Sequence, residues 1–526
     1  MIGLEGTSTL VRLALRRDRL RLPVWVLALV GITGASASAV ATAYPNQRAI
    51  DAYADSLGSS PAAVAMAAPP VALHTHAGVV VYETVFTAMV GVSLMAIFLA
   101  TRHTRAEEEE GRTELLRSTV VGRHAGSAAA MVVLTIASAL VGAGVALVVI
   151  PAEFPVGPAL LYGASVGVLG IAFGAITLVL AQVFGHARSV LGASLAVLGA
   201  SFVIRGAGDV QESWLVWLSP VGWSQATHPL GDNRWWPLLV SMAAVAVLVV
   251  VAVRLAEHRD VGAGLLAPRN GPATAPRWLS GPVGLAFSLQ RGAIVGWAAG
   301  VFVLGAVTGS LSREIETMTR ENPTLAQYFA ATGNSLTDSF FSTMILILAL
   351  VAAGFAVSSA LRLRAEESSG RLEPLLATGL TRTRWLLGSL LVTLAGTLTV
   401  LASAGFGLGL TYGIVISEPS QAVRLAGLQL VYAPAVLALA AVAVLLVGWR
   451  PSWAAASWAV LGFCFVLGWL GGLLDPPAWV RDLSPFTHTP AVPMDTLTFA
   501  GPTVITLSVV LLVALGAAGL RRRDIG

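Results

Sequence analysis

Apolar runs of roughly twenty residues alternate along this chain with short polar stretches that hold nearly all of its charge. A helix crossing the hydrocarbon core of a bilayer needs about 20 apolar residues. Twelve runs reach or approach that length: Leu22 to Tyr44, Val79 to Thr101, Gly126 to Ile150, Pro158 to Phe184, Ser189 to Ile204, Trp236 to Leu255, Ala293 to Ser310, Phe340 to Leu361, Trp385 to Leu410, Leu428 to Trp449, Trp453 to Leu474 and Pro502 to Leu520. The pattern predicts an all-α, polytopic membrane protein of about 12 transmembrane helices.

Composition sharpens this. With 56% hydrophobic and 11% charged residues in 526, a water-soluble globule is excluded. All 32 basic residues are arginine. They cluster beside apolar runs, not in a basic domain with interleaved aromatics, so they predict membrane orientation and no nucleic-acid partner. With both termini on one side, 25 of the 32 arginines share that face, including Arg12 to Arg21, Arg102 to Arg123, Arg254 to Arg291, Arg362 to Arg384 and Arg521 to Arg523. The other face has Arg48, Arg205, Arg234, Arg313, Arg320, Arg424 and Arg481. The positive-inside rule then places both termini in the cytoplasm of a bacterial cell, with the chain in the plasma (inner) membrane. The Ala35-Ser36-Ala37 stretch resembles a signal-peptide cleavage site, but removing the first run would leave Ala293 to Ser310 without a counterpart. Leu10 to Leu22 mixes leucines and arginines at the spacing of an interfacial helix, or of a charged flank that fixes orientation.

The chain is internally duplicated. Arg105-Ala106-Glu107-Glu108, Gly111-Arg112, Glu114 and Thr119 recur at a constant offset of 259 as Arg364-Ala365-Glu366-Glu367, Gly370-Arg371, Glu373 and Thr378. Trp214, Leu218, Ser219 and Pro220 recur as Trp479, Leu483, Ser484 and Pro485, and Arg259-Asp260-Val261-Gly262 as Arg523-Asp524-Ile525-Gly526. Three markers in one order predict two parallel six-span repeats, residues 1–256 and 284–526, joined by a Pro/Gly-rich cytoplasmic linker, 257–283.

Both acidic motifs fall between the second and third spans of their half. The carboxylates Glu107, Glu110 and Glu114, and Glu366 and Glu373, repeat at roughly helical spacing, and Glu108 with Arg112 and Glu367 with Arg371 have i,i+4 spacing. Short helices on the inner membrane surface are expected. Gly111 and Gly370 would each cost about 1 kcal/mol inside a helix, so they predict a bend or a close backbone contact. A lone segment of this kind would read as a solvated, salt-bridged face. The duplicated pattern, Glu107-Glu108-Glu109-Glu110-Gly111-Arg112-Thr113-Glu114-Leu115-Leu116-Arg117-Ser118-Thr119 and Glu366-Glu367-Ser368-Ser369-Gly370-Arg371-Leu372-Glu373-Pro374-Leu375-Leu376-Ala377-Thr378, resembles the type-2 ABC exporter permease family, and more narrowly the fused twelve-span actinobacterial exporters of polyketide antibiotics and other drugs. Members usually have proline after the threonine, where this chain has Val120 and Gly379.

The resemblance implies that residues 104–123 and 363–382 are coupling helices that dock a separate ATP-binding-cassette subunit, two copies per chain, with ATP and Mg bound there. This chain has no lysine and so cannot form a P-loop of its own; no cofactor and no catalytic residue is expected on it. The resemblance further implies a substrate cavity between the second and fifth spans of the two halves, where Tyr82, Phe86, Met89, Phe340, Phe341, Met344, Phe463 and Phe465 are the larger side chains, and an outer gate formed by re-entrant hairpins at Trp214, Trp217, Pro220, Trp479 and Pro485. Apolar and aromatic linings suit a small hydrophobic substrate; tryptophans at such positions also mark a membrane interface, and the cavity residues could equally pack helix on helix or face lipid.

Remaining chemistry is sparse. Cys464, the sole cysteine, lies within an apolar run and supports no disulfide or thiolate cluster. His74 and His76 are too few ligands for a metal site. Glu83, about a turn from the outer end of its span, reads as a snorkelling carboxylate, or as a proton or substrate site. An ion-coupled secondary carrier also fits twelve spans in two halves, and lipid or envelope precursors are alternative ABC-exporter cargo.

Overall fold

The computed structural model describes residues 3–57, 64, 68–118, 120–152, 154–260, 262–266, 274–310, 312, 335–474 and 476–523. Arg313, Arg320, Thr119, Val261, residues 524–526 and residues 267–273 of the linker lie outside them. Among the described residues the secondary structure is helical, without strands. Twelve helices are long and apolar enough to cross a membrane: Arg21–Ala43, His76–Glu109, Ala125–Val149, Val156–Val183, Ala187–Val210 and Trp236–Glu257, then Pro282–Ser310, Thr337–Ser368, Arg382–Ile416, Gln421–Trp449, Pro451–Gly468 and Ala500–Arg522.

Several helices outrun their apolar stretch, because backbone hydrogen bonding continues into polar sequence until a breaker arrives. The second span passes Thr101 and ends only before Gly111, and the eighth runs to Ser368 before Gly370. Breakers also act inside spans. The tenth is interrupted at Val431–Tyr432, between Gln421–Leu430 and Ala433–Trp449, where Pro434 can donate no backbone hydrogen bond. The eleventh opens with a 3₁₀ stretch at Pro451–Ala456. A separate helix, Thr7–Arg17, precedes the first span and packs on the third.

The chain divides into two compact units, Met1–Asn270 and Gly271–Gly526, each with its own apolar core. In the first, the second, third and fourth spans supply fully buried side chains such as Val92, Ala96, Val141, Val166 and Leu169. The third and fourth spans touch backbone to backbone: a Cβ added at Gly142 would lie 2.4 Å from the Gly163 carbonyl oxygen. Such small-residue contacts hold helices together where lipid removes the hydrophobic drive between them. In the second unit the eighth, ninth and tenth spans play the central part, through Ala349, Ala353, Ala356, Val400 and Val436. Large apolar residues at the periphery, such as Leu27, Leu147 and Leu507, are about two-thirds exposed, an apolar surface that lipid covers.

Candidate functional site

The acidic segments lie at the arginine-rich end of each half. In the first half, the second span leaves its apolar stretch through a π-helical turn, Arg102–Ala106, before Glu107–Glu109. Four consecutive glutamates then make four different connections. Glu107 accepts from Arg17 of the N-terminal helix and from Arg112, each at 2.7 Å. Glu108 receives both outer nitrogens of Arg259, at 2.6 and 3.0 Å, and is also bonded by Arg105. Glu109 accepts the Ala187 amide at 3.1 Å and so caps the N-terminus of the fifth span. Glu110 pairs with Arg112.

In the second half, Glu367 receives a bidentate Arg523, the same fork-on-carboxylate geometry, with Arg364 at 3.7 Å. Glu366 accepts from the Trp385 indole at 3.2 Å. Ser368 and Ser369 stand in place of Glu109 and Glu110 and bond back to the Ala365 carbonyl. The expected i,i+4 pairs Glu108–Arg112 and Glu367–Arg371 do not form. The chain turns at the intervening glycine, which breaks helical register; Glu108 and Glu367 instead reach the ends of the sixth and twelfth spans, and Arg371 bonds Ser369. The two duplicated markers, acidic motif and Arg-Asp-Val/Ile-Gly, are therefore partners in one ion pair.

Gly111 and Gly370 adopt φ of 71° and 68°, with nothing within 4 Å of a would-be Cβ. They make a bend, not a close contact. The expected surface helices are correspondingly shorter: the glutamates before each glycine extend the preceding span, and only Arg112–Arg117 and Leu372–Ala377 form separate helices. Glu114 and Glu373 project from these, exposed and without an ion-pair partner among the described residues. A further pair repeats at the neighbouring helix end. Arg123 donates to the Ala256 and Glu257 carbonyls, and Arg382 to those of Leu520 and Arg523, satisfying the open C-terminal ends of the sixth and twelfth spans.

Sequence reading missed Asp18. Fully buried between the N-terminal helix and the first span, its carboxylate meets His103 Nε2 at 2.6 Å and Arg102 Nε at 3.2 Å. An aspartate inside an arginine-rich flank gave no local signal of burial.

At the opposite end, the connection after each fifth span folds inward. Ser219 donates to the Ser201 carbonyl at 2.7 Å, nine residues before the end of the fifth span, a descent of about 13 Å at 1.5 Å per residue. Pro220 starts a buried one-turn helix that ends at Gln225. Ser484, the counterpart of Ser219, is likewise buried, and Pro485 leads to the buried Phe486, stacked on Tyr432. Trp214 and Trp479 stay exposed at the rims, while Trp217 stacks on Trp236 with centroids 5.0 Å apart.

The remaining sequence candidates are dispersed within their halves. Tyr82 and Met89 border a cleft of about 30 Å³ beside the inserted Ser224 and Gln225, and Phe86 meets Phe202 edge-on at 5.3 Å. Phe341 is buried against Tyr412, next to Phe340; Met344 is half-buried, and Phe463 and Phe465 are over a third exposed. Glu83 is exposed and accepts from the Tyr53 hydroxyl. His74 bonds Asp51 and His76 the Tyr44 carbonyl; no metal-ligand cluster occurs among the described residues.

The family model of the multidrug efflux system permease Rv1217c, C-terminal domain, matches residues 279–521. Over 528 aligned positions, covering 99% of this chain and 96% of the relative, the sequence is 38% identical to the multidrug efflux system permease protein Rv1217c of Mycobacterium tuberculosis. A likeness that runs through both halves and nearly the whole of each protein is one of complete architecture, and the chain belongs to this family of multidrug efflux permeases.

Proposed function

We propose that this chain is the membrane-spanning subunit of an ATP-binding-cassette exporter, expelling hydrophobic drugs or polyketide-like antibiotics with ATP hydrolysed, with Mg, by a separate subunit. Two copies of that subunit dock per chain, one on each acidic segment, and the chain lies in the bacterial inner membrane with both termini in the cytoplasm. The observation that carries the reading is the repeated bend at Gly111 and Gly370, each presenting a free glutamate, Glu114 or Glu373, beyond a segment locked to a span end. Because Glu108 is tied to Arg259 and Glu367 to Arg523, a docked subunit that moves the segment moves the second and sixth spans of that half together. Tyr82, Phe86 and Met89 in the first half, and Phe340, Phe341, Met344, Phe463 and Phe465 in the second, are the apolar side chains that meet cargo in this reading, and the inserted segments at Pro220 and Pro485 gate its exit.

The test is co-purification with candidate ATP-binding subunits, followed by drug-stimulated ATPase measurement on the wild type and on a Glu114→Arg, Glu373→Arg double variant. Two ATPase copies bound to the wild type, and loss of binding or of stimulation in the variant, support the reading. Failure of any ATPase to bind, with drug transport unaffected by ATP, replaces it with an ion-coupled carrier.

A further inference from the structure

The first half holds a cavity of about 500 Å³ at the end away from the termini, between the close of the fifth span and the inserted segment. Drug-sized ligands occupy cavities of roughly 300–1,000 Å³. Asp209, Glu212, Trp217, Gln225, His228 and Arg234 contribute to its wall. Charge there is largely cancelled in place. Asp209, 7% exposed, is held by the buried Arg205 at 3.1 Å, and Arg234 pairs with Asp232. Burial, aided by the Arg234 guanidinium, holds His228 below its ordinary value, so it is neutral near pH 7. Glu212 is left: exposed at the rim, it has no ion-pair partner among the described residues.

Two observations set this cavity apart from ordinary surface. Glu212 and His228 both have left-handed backbone, with φ of 49° and 42°, a conformation that costs a residue bearing a Cβ and that accumulates at functional sites. In the second half, the connection over residues 476–499 contains no positive φ at a non-glycine residue. At the offset of 265 that relates Ser219-Pro220 to Ser484-Pro485, that half has Leu474, Pro477, Pro490 and Pro493 where the first has Asp209, Glu212, Gln225 and His228. Both connections fold inward around the same Ser-Pro pair, so neither the polar lining nor the strained backbone is a requirement of the hairpin.

We infer that this cavity is a binding site for an amphiphilic organic cation, its apolar body against Trp217 and its charge against Glu212. The site deepens the exporter reading, on which it rests only for treating the ligand as cargo. Binding itself needs no ATPase.

The experiment is equilibrium binding of tetraphenylphosphonium, and of its near-isosteric anion tetraphenylborate, to the full chain in lipid nanodiscs without nucleotide, with empty discs subtracted. One saturable site for the cation is expected, weakened roughly tenfold by Glu212→Gln, as loss of one partly screened charge contact implies, while the anion is unaffected by that change. A Ser213→Cys, Cys464→Ala variant, which retains Glu212, is expected to lose reactivity toward a thiol reagent when the cation is bound. Equal affinity for the two ions, cation binding indifferent to Glu212→Gln, or thiol reactivity at residue 213 unchanged by the cation would each overturn the site. If cation binding holds but no ATPase associates, the site stands and only the exporter reading falls.

Discussion

The acidic segment of the first half is fastened to three other elements, the N-terminal helix through Arg17, the fifth span through its Ala187 amide and the sixth span through Arg259. That of the second half is fastened to two, the twelfth span through Arg523 and the ninth through Trp385. The first also follows a π turn absent from the second, where Leu336–Ser368 is continuous α-helix. Three features survive in both halves: the left-handed glycine, the bidentate arginine from the last span of the half, and the arginine capping that span's C-terminus. What is common is the part that docking requires under the exporter reading; what differs is local reinforcement. The serines at 368 and 369 illustrate this, since two glutamates could be dropped without altering the bend.

Substitutions at these contacts test the two halves against each other. The largest effect is expected for Asp18→Ala, which strands Arg102 and His103 beside a buried site; losing one partner of such a group costs about 3–5 kcal/mol. A fall in melting temperature, with the Thr7–Arg17 helix becoming protease-sensitive, is the readout, and an unchanged melt would remove the N-terminal helix from the account. Next come Arg259→Ala and Arg523→Ala. Glu108 keeps the buried Arg105, whereas Glu367 keeps only the partly exposed Arg364, so under the exporter reading loss of drug-stimulated ATPase is expected to be larger for Arg523→Ala, roughly tenfold against a few-fold, for a difference near 1 kcal/mol. The exchange Glu367→Arg with Arg523→Glu should restore part of it. Equal losses would mean that Arg105 contributes nothing.

Gly111→Ala and Gly370→Ala should each cost about 1–2 kcal/mol from left-handed backbone alone, because a Cβ meets nothing within 4 Å at either place. Matching drops in melting temperature are expected; a mismatch would show that the bends are not equivalent. The smallest effect concerns pH. His228 is held below its ordinary value of 6.5, so the unfolded chain takes up its proton first, and the associated stability is present above pH 6.5 and fades as pH falls through the lower folded value. A melt measured from pH 7.5 to 5 should decline less in His228→Gln than in the wild type. The second half, with Pro493 at that place, provides no such group.

Much of this was legible in the residues. Twelve apolar runs gave twelve spans because crossing a bilayer is a length and composition requirement met within each run. The offset of 259 exposed the two acidic segments, and the glycine in each announced an interruption that the structure makes a bend. Local spacing misled at Glu108 and Glu367. Four residues apart along an unbroken helix, they would have met Arg112 and Arg371; the glycine removed that helix, and the carboxylates found arginines 151 and 156 residues away. The Arg-Asp-Val/Ile-Gly repeat was visible as a marker, but nothing along the chain says which marker touches which.

Membrane-spanning helices, their number, their duplication and the place of the acidic segments were legible along the chain, since each depends on residues within one continuous run or on a constant offset. The burial of Asp18, the pairing of the acidic motifs with the ends of the sixth and twelfth spans, the depth of the inserted hairpins and the polar cavity beneath the first were decided only by tertiary structure. A charge's free energy depends on what is packed around it in space, and in a bundle of long helices those neighbours come from segments a hundred or more residues apart.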